Sequence, residues 1–207
     1  MNPLYGAVAA LAAGALLAPT AGSLPTPAVT PDNAAATPAP TRSGAPASYT
    51  FQMDIVMTMR HFPWLHFKME GQGDYRRGHH YIVHLTHKPS FASKMHDIDL
   101  SMIDPSMWPN RYHAQPIGRQ GDDTVFALQA IKPGSLASAT VALNPVSGAH
   151  WVDVTYSDGM HVHMVLSSDD VDGFLLPVTL TADVDYPHMP LSADATFSNY
   201  SIPAPPA

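Results

Sequence analysis

From Tyr49 to Met59 the chain alternates with a period of two. Tyr49, Phe51, Met53, Ile55, Met57 and Met59 fall on one side, and Thr50, Gln52, Asp54, Val56 and Thr58 on the other. An amphipathic helix needs its apolar residues every three to four positions, so this stretch cannot be one. It fits a long strand with one apolar face and one mostly polar face. A strand of that kind needs antiparallel neighbours and something to cover its apolar side.

The same pattern returns along most of the chain. Trp64–Gly71 sets Leu65, Phe67 and Met69 against His66, Lys68 and Glu70, and Gly71, Gly73 and Asp74 are read as the following turn. His79–His87 places Tyr81, Val83 and Leu85 on one face. Tyr112–Arg119 and Thr124–Ile131 make a hairpin through Gln120–Asp123, and Leu136–Leu143 and Ala149–Ser157 another through Asn144–Gly148. Met160–Ser167, Phe174–Tyr186 and Leu191–Ile202 complete about ten strands. No long helix alternates with them, which argues against a βαβ fold. The expected fold is mainly β, and strands about every 8–12 residues with turn signals between them suggest an antiparallel sandwich or barrel.

The pattern breaks between Lys88 and Arg111, where Pro89, Pro105 and Pro109 exclude a central strand. Asp104-Pro105 reads as a helix cap followed by proline at the first helical position. Ser90–His96 is a second candidate short helix. Met95, Met102, Ile103, Met107 and Trp108 give this segment apolar surface to bury.

Composition shifts before residue 48. Residues 1–47 hold 8 of the 21 prolines and 15 alanines but only two charges, Asp32 and Arg42. Ala7–Ala18 is an apolar run of 12 residues, too short to span a bilayer, which takes about 20. With Pro19 and the small residues Ala21, Gly22 and Ser23 after it, residues 1–23 read as a secretory signal, although no Lys or Arg precedes the run. Residues 24–47 read as a Pro/Ala-rich disordered spacer. Residues 48–202 are then the folded domain, and 203–207 a C-terminal tail. An exported protein, periplasmic or extracellular, is the expectation.

Charge and composition remove several functions. A net charge of −7 argues against nucleic acid. The absence of cysteine excludes a disulfide scaffold, a thiolate metal site, a cysteine nucleophile and a lipid-anchored N-terminal cysteine. Residues 133–207 carry 8 Asp and no Lys or Arg, which reads as a solvated acidic face. No nucleophile elbow, P-loop or dinucleotide fingerprint occurs, so no catalytic residue and no cofactor is assigned. Asp169, Asp170 and Asp172 fit a turn better than a calcium loop. Among the 12 histidines, His161 and His163 share a strand face and are weak metal candidates lacking a third ligand. His80 and His84 also share a face.

The order of these elements carries a resemblance. A leader, a long alternating first strand, a meander interrupted by a helical segment, Trp151-Val-Asp-Val-Thr-Tyr-Ser-Asp-Gly159, Gly173-Phe-Leu-Leu-Pro-Val-Thr-Leu180 and a closing strand ending Phe197-Ser-Asn-Tyr200 resemble the outer-membrane lipoprotein carrier family, LolA with its relatives LolB and LppX. The resemblance covers about residues 48–202. It implies a half-barrel whose concave apolar face is lidded by short helices and holds acyl chains, with Lys88–Arg111 as the lid. Lacking cysteine, the chain is closer to the soluble carrier than to anchored relatives. The Pro/Ala tract departs from the carrier, and no residue role is carried over.

The expected groove lining is Phe51, Met53, Ile55, Met57, Phe67, Val83, Val154, Val162, Met164, Leu176 and Val178, with Met102, Met107 and Trp108 in the lid. Flexible, polarisable methionine suits variable apolar ligands. The expected partner is a lipid or acylated protein, with transient membrane contact and an envelope protein as a further possible partner. The alternative is a non-catalytic envelope interaction or sensor module with a filled core. A metal-dependent enzyme built on the His cluster is the third reading.

Overall fold

The computed structural model describes residues 46–90, 97–185 and 190–203. The expected signal and most of the expected spacer, the segment 91–96 with Met95, the residues 186–189 and the last four residues lie outside the described ones. The strands are β1 (Ser48–Met59), β2 (Phe62–Arg76), β3 (His80–His87), β4 (Asp97–Asp99), β5 (Tyr112–Gln120), β6 (Asp123–Ala130), β7 (Leu136–Asn144), β8 (Gly148–Tyr156), β9 (His161–Val171), β10 (Phe174–Asp185) and β11 (Leu191–Ser201). Between β4 and β5 lie two 3₁₀ turns, Ser101–Ile103 and Pro105–Asn110. No described helix is long and apolar enough to cross a membrane.

All eleven strands form one sheet in the order β4-β3-β2-β1-β11-β10-β9-β8-β7-β6-β5. Every pairing is antiparallel. β1 lies between β2 and β11, so the chain's first and last strands close on each other. β4 and β5 are left as the two edges. The result is an unclosed half-barrel with one apolar face turned inward, as the alternation requires.

Three readings are corrected. Gly71 and Gly73 do not make a turn; they pair within β2, opposite Met53 and Phe51 of β1. A Cβ on Gly73 would sit 1.9 Å from the Phe51 ring, and one on Gly71 would sit 2.5 Å from Val83 Cγ1. The two glycines make room for neighbouring side chains rather than bending the backbone. The turn comes later, at Arg77–His79, where the His79 amide donates to the Arg76 carbonyl. Second, the interruption contains a short strand: Ile98 of β4 pairs with Val83, extending the sheet by one edge. Third, β9 continues past Ser167 to Val171, so Asp169 and Asp170 lie in a strand and the turn is Asp172-Gly173.

The core is a single cluster on the concave face. It runs from Tyr81, Val83 and Ile98 through the odd positions of β1, Leu191–Phe197 of β11 and Leu176–Val184 of β10, to Val141 and Phe126. Burying this much apolar surface on one side, at about 25 cal/mol per Å², is the main stabilising term of such a sheet.

Candidate functional site

The concave face gathers most of the expected lining. Phe51, Met53, Ile55 and Met57 of β1, Val83, Val154, Val162 and Leu176 are all buried in the one cluster. Phe67 and Met164 are half-buried and packed against it. Val178 differs. The register between β9 and β10 slips at Pro177/Thr179, which makes Val178 the bulged, half-buried residue. Tyr75, Tyr81, Leu180 and Leu191 also belong to this face. Each stands at an alternating position, and that signal alone could have found them.

The described part of the expected lid, residues 97–111, is tied at both ends. Asp104 caps the second 3₁₀ turn, its Oδ1 accepting from the Ser106 amide at 2.9 Å and its Oδ2 from Ser106 Oγ at 2.8 Å. Pro105 follows at the first helical position. Trp108 Nε1 donates to the Met102 carbonyl at 3.0 Å, folding the two turns together. Met107 is 1% exposed and Trp108 5%, whereas Met102 is half-buried. The Trp108 ring meets Phe126 of β6 edge-on at 5.3 Å. Arg111 Nη1 donates to Asp99 Oδ2 at 2.5 Å, clasping the start and end of the lid. The Ile131 amide donates to the Arg111 carbonyl. Residues 100–111 therefore run from the β4 edge to the β5–β6 edge.

The two ends of the groove differ. At one end meet the β2–β3, β7–β8 and β9–β10 turns and the start of β1, as the pairings Ser48↔Arg76, Asn144↔Gly148 and Phe174↔Val171 show. Tyrosines close it. Tyr49 stacks on Tyr75 with ring centroids 4.5 Å apart, and its hydroxyl donates to that of Tyr81 at 3.1 Å. Tyr200 packs against Phe51 and donates to the Pro177 carbonyl. Burial holds the Tyr49 and Tyr81 phenols well above their ordinary value. Burial, with the Asp104 carboxylate beside it, pushes Tyr75 up to about 12. These hydroxyls stay neutral and act as donors and acceptors.

A cavity of about 100 Å³ lies at this closed end, lined among others by Pro46, Tyr49, Tyr75, Tyr81, Ile103 and Leu176. Ligand pockets usually measure about 300–1,000 Å³. The cavity takes a few heavy atoms, and elsewhere the lid's own side chains lie against the concave face.

At the opposite end lie the β1–β2, β8–β9 and β10–β11 connections and the loop after β6. The apolar residues there, Met59, Phe67, Leu85, Tyr112, Leu136 and Tyr156, pack against the core but are only half-buried. They form a half-buried rim, whereas the tyrosines of the closed end, Tyr49, Tyr75 and Tyr81, are buried.

Five of the histidines pair with aspartates on the outer face. His163 Nδ1 lies 2.7 Å and His161 Nε2 3.5 Å from the same Asp153 Oδ1, with Asp153 directly opposite His163 in the ladder. His84 lies 2.8 Å from Asp97, His150 2.8 Å from Asp123, and His80 3.2 Å from Asp74. These are cross-strand polar pairs. Among the described residues no group of three His, Asp or Glu side chains is arranged to hold a metal ion.

No family model matches the chain, and no curated protein does. Solved structures do match. A LolA superfamily protein from Nitrosomonas europaea superposes with a TM-score of 0.55 at 13% identity, over 77% of this chain and 87% of that one. A DUF1329 family protein from Desulfovibrio piger gives 0.52 at 7%, over 76% and 86%. A putative outer membrane lipoprotein-sorting protein domain from Vibrio parahaemolyticus gives 0.51 at 10%, over 75% and 85%. The fold is thus the LolA-like half-barrel.

Proposed function

We propose that the protein is an exported carrier that holds an acyl chain of a lipid or lipoprotein against the concave face, beneath the lid. The observation that carries the reading is the continuous apolar floor from Val83 to Phe126, covered among the described residues by two short 3₁₀ turns. The likeness in fold to a lipoprotein-sorting domain supports it. The lining would be Phe51, Met53, Ile55, Met57, Phe67, Val83, Val154, Val162, Met164 and Leu176, with Val178 at the margin.

Magnitudes allow the exchange. Met107, Trp108 and Ile103 leave the groove when a chain enters, at roughly 1.5–3 kcal/mol each. An acyl chain gains about 0.8 kcal/mol per buried CH₂ relative to water, so about ten methylenes offset the lid. Relative to a bilayer, where the chain is already buried, only the cost of the lid remains, so return of the chain to a membrane is favoured. That direction suits a carrier, which must release what it takes up.

The test is native mass spectrometry of protein purified from its host, with uptake of a fluorescent fatty acid by the delipidated protein. Bound lipid and saturable uptake are expected. Apo protein without uptake overturns the proposal and favours the second reading, an envelope interaction module with a filled core. The near-complete burial of Met107 and Trp108 against the floor is the observation on that side.

A further inference from the structure

The β1–β2 hairpin breaks its own ladder. Thr58 pairs with His66 and Met59 with Phe62, so β1 advances one residue while β2 advances four. Pro63, Trp64 and Leu65 are looped out between those pairs. Trp64 is 74% exposed, Phe62 47% and Leu65 38%, and the Phe62 and Trp64 rings pack edge-on at 5.5 Å. An exposed tryptophan, phenylalanine and leucine side by side on a strand connection serve no purpose in the core, which lies on the other side of Phe67 and Met69.

The hairpin's own charges here are cationic. No carboxylate occurs between Asp54 and Glu70, while Arg60 and Lys68 do, in a chain of net charge −7. Asp185 holds Arg60 at 2.6 Å, with Asp183 at 3.9 Å, so Lys68 is the cation that the hairpin presents outward. Ile131 and Lys132, in the loop after β6, are exposed at the same end of the barrel, which is the end with the half-buried rim. The carboxylate of Asp158 at that end accepts from the Met160 amide.

We infer that this hairpin is a membrane-docking element, with Trp64, Phe62 and Leu65 entering the interfacial zone of an anionic phospholipid bilayer and Lys68 meeting its headgroups. Trp and aromatic neighbours favour that zone because one side of the ring is apolar and the other polar. A protein partner is the weaker fit. The three side chains expose roughly 300–400 Å² between them, whereas a stable protein interface takes about 800 Å² from each side. The docking deepens the membrane contact that a carrier needs, but it does not require the groove to hold a lipid.

Residues Ala7–Ala18 are apolar in their own right, so binding must be read locally. In the full-length protein, Trp108→Phe with Trp151→Phe leaves Trp64 as the single tryptophan. With vesicles of phosphatidylethanolamine and phosphatidylglycerol carrying brominated chains, its emission shifts to the blue and is quenched. Phe62→Ser with Leu65→Ser in that background reduces quenching at a fixed lipid concentration, and vesicle affinity falls by about tenfold or more. Trp64→Ser in the natural background lowers affinity similarly while leaving the melting temperature unchanged, since the side chain is exposed. Lys68→Glu weakens binding to the anionic vesicles and not to phosphatidylcholine. Unquenched Trp64 emission, or affinity unchanged by all of these variants, overturns the inference. Vesicle binding without fatty-acid uptake would leave the hairpin standing and remove the carrier reading; uptake without vesicle binding would do the reverse.

Discussion

At the scale of single residues, the two strand glycines carry a consequence that alternation cannot reveal. Gly73 faces Phe51, and a methyl there would lie 1.9 Å from its Cζ. Phe51 is itself wedged among Tyr81, Phe197 and Tyr200, so it has little freedom to move away. Gly73→Ala should therefore cost about 1–3 kcal/mol through overpacking. Urea denaturation measures it, and Phe51→Leu in the same chain should recover part of the loss, because the two sites share one space. An unchanged midpoint would mean that the ring moves aside freely. The sequence offered Gly-x-Gly-Asp, which by local chemistry is a turn. Its real cause is a contact between residues 22 positions apart, across a ladder whose register no local pattern states. The strand faces were legible for the opposite reason: once a strand is known, period two assigns them. Val178 escaped because a single bulge resets the alternation.

At the scale of elements, turn chemistry located the hairpins at Gly121-Asp122 and Asn144–Gly148, and Asp104-Pro105 located the lid's second 3₁₀ turn. β4 was not legible, since three residues are too few to show a period and its pairing with β3 is a tertiary fact. That short strand, and a β5 carrying Pro116, leave two poor edges for further strand pairing. The lid is a different kind of element, held by a cap, an ion pair and one ring contact. Asp104→Ala removes both hydrogen bonds to Ser106, and a lost cap costs about 0.5–2 kcal/mol. Amide exchange of residues 101–110 should then quicken by about tenfold at a typical 1.4 kcal/mol, while the β1 amides keep their protection. Equal loss of protection in β1 would show that lid and sheet open only together. That outcome would also weigh against a lid that yields to a ligand.

At the scale of the whole molecule, both ends of the half-barrel depend on neutral phenols. Tyr75, on β2, belongs to the closed end, and Tyr156, on β8, to the half-buried rim. Burial pushes each up to about 12. Burial raises Tyr49, Tyr81 and Tyr200 too, and they join β1, β3 and β11. In the unfolded chain the same groups ionise near 10. Between the unfolded and folded values the native state therefore holds more protons than the unfolded one, and stability must fall as pH rises. The contribution is complete below about pH 10 and is lost through about pH 12 and above. The excess negative charge, already −7 at neutral pH, adds repulsion in the same direction. The urea midpoint should hold level to about pH 9.5 and then decline steeply by about pH 11.5. Tyr156→Phe removes one ionisation without removing the ring, so the decline should become shallower. A midpoint that stays level to about pH 11.5 would mean that these phenols meet solvent on equal terms in the folded and unfolded states.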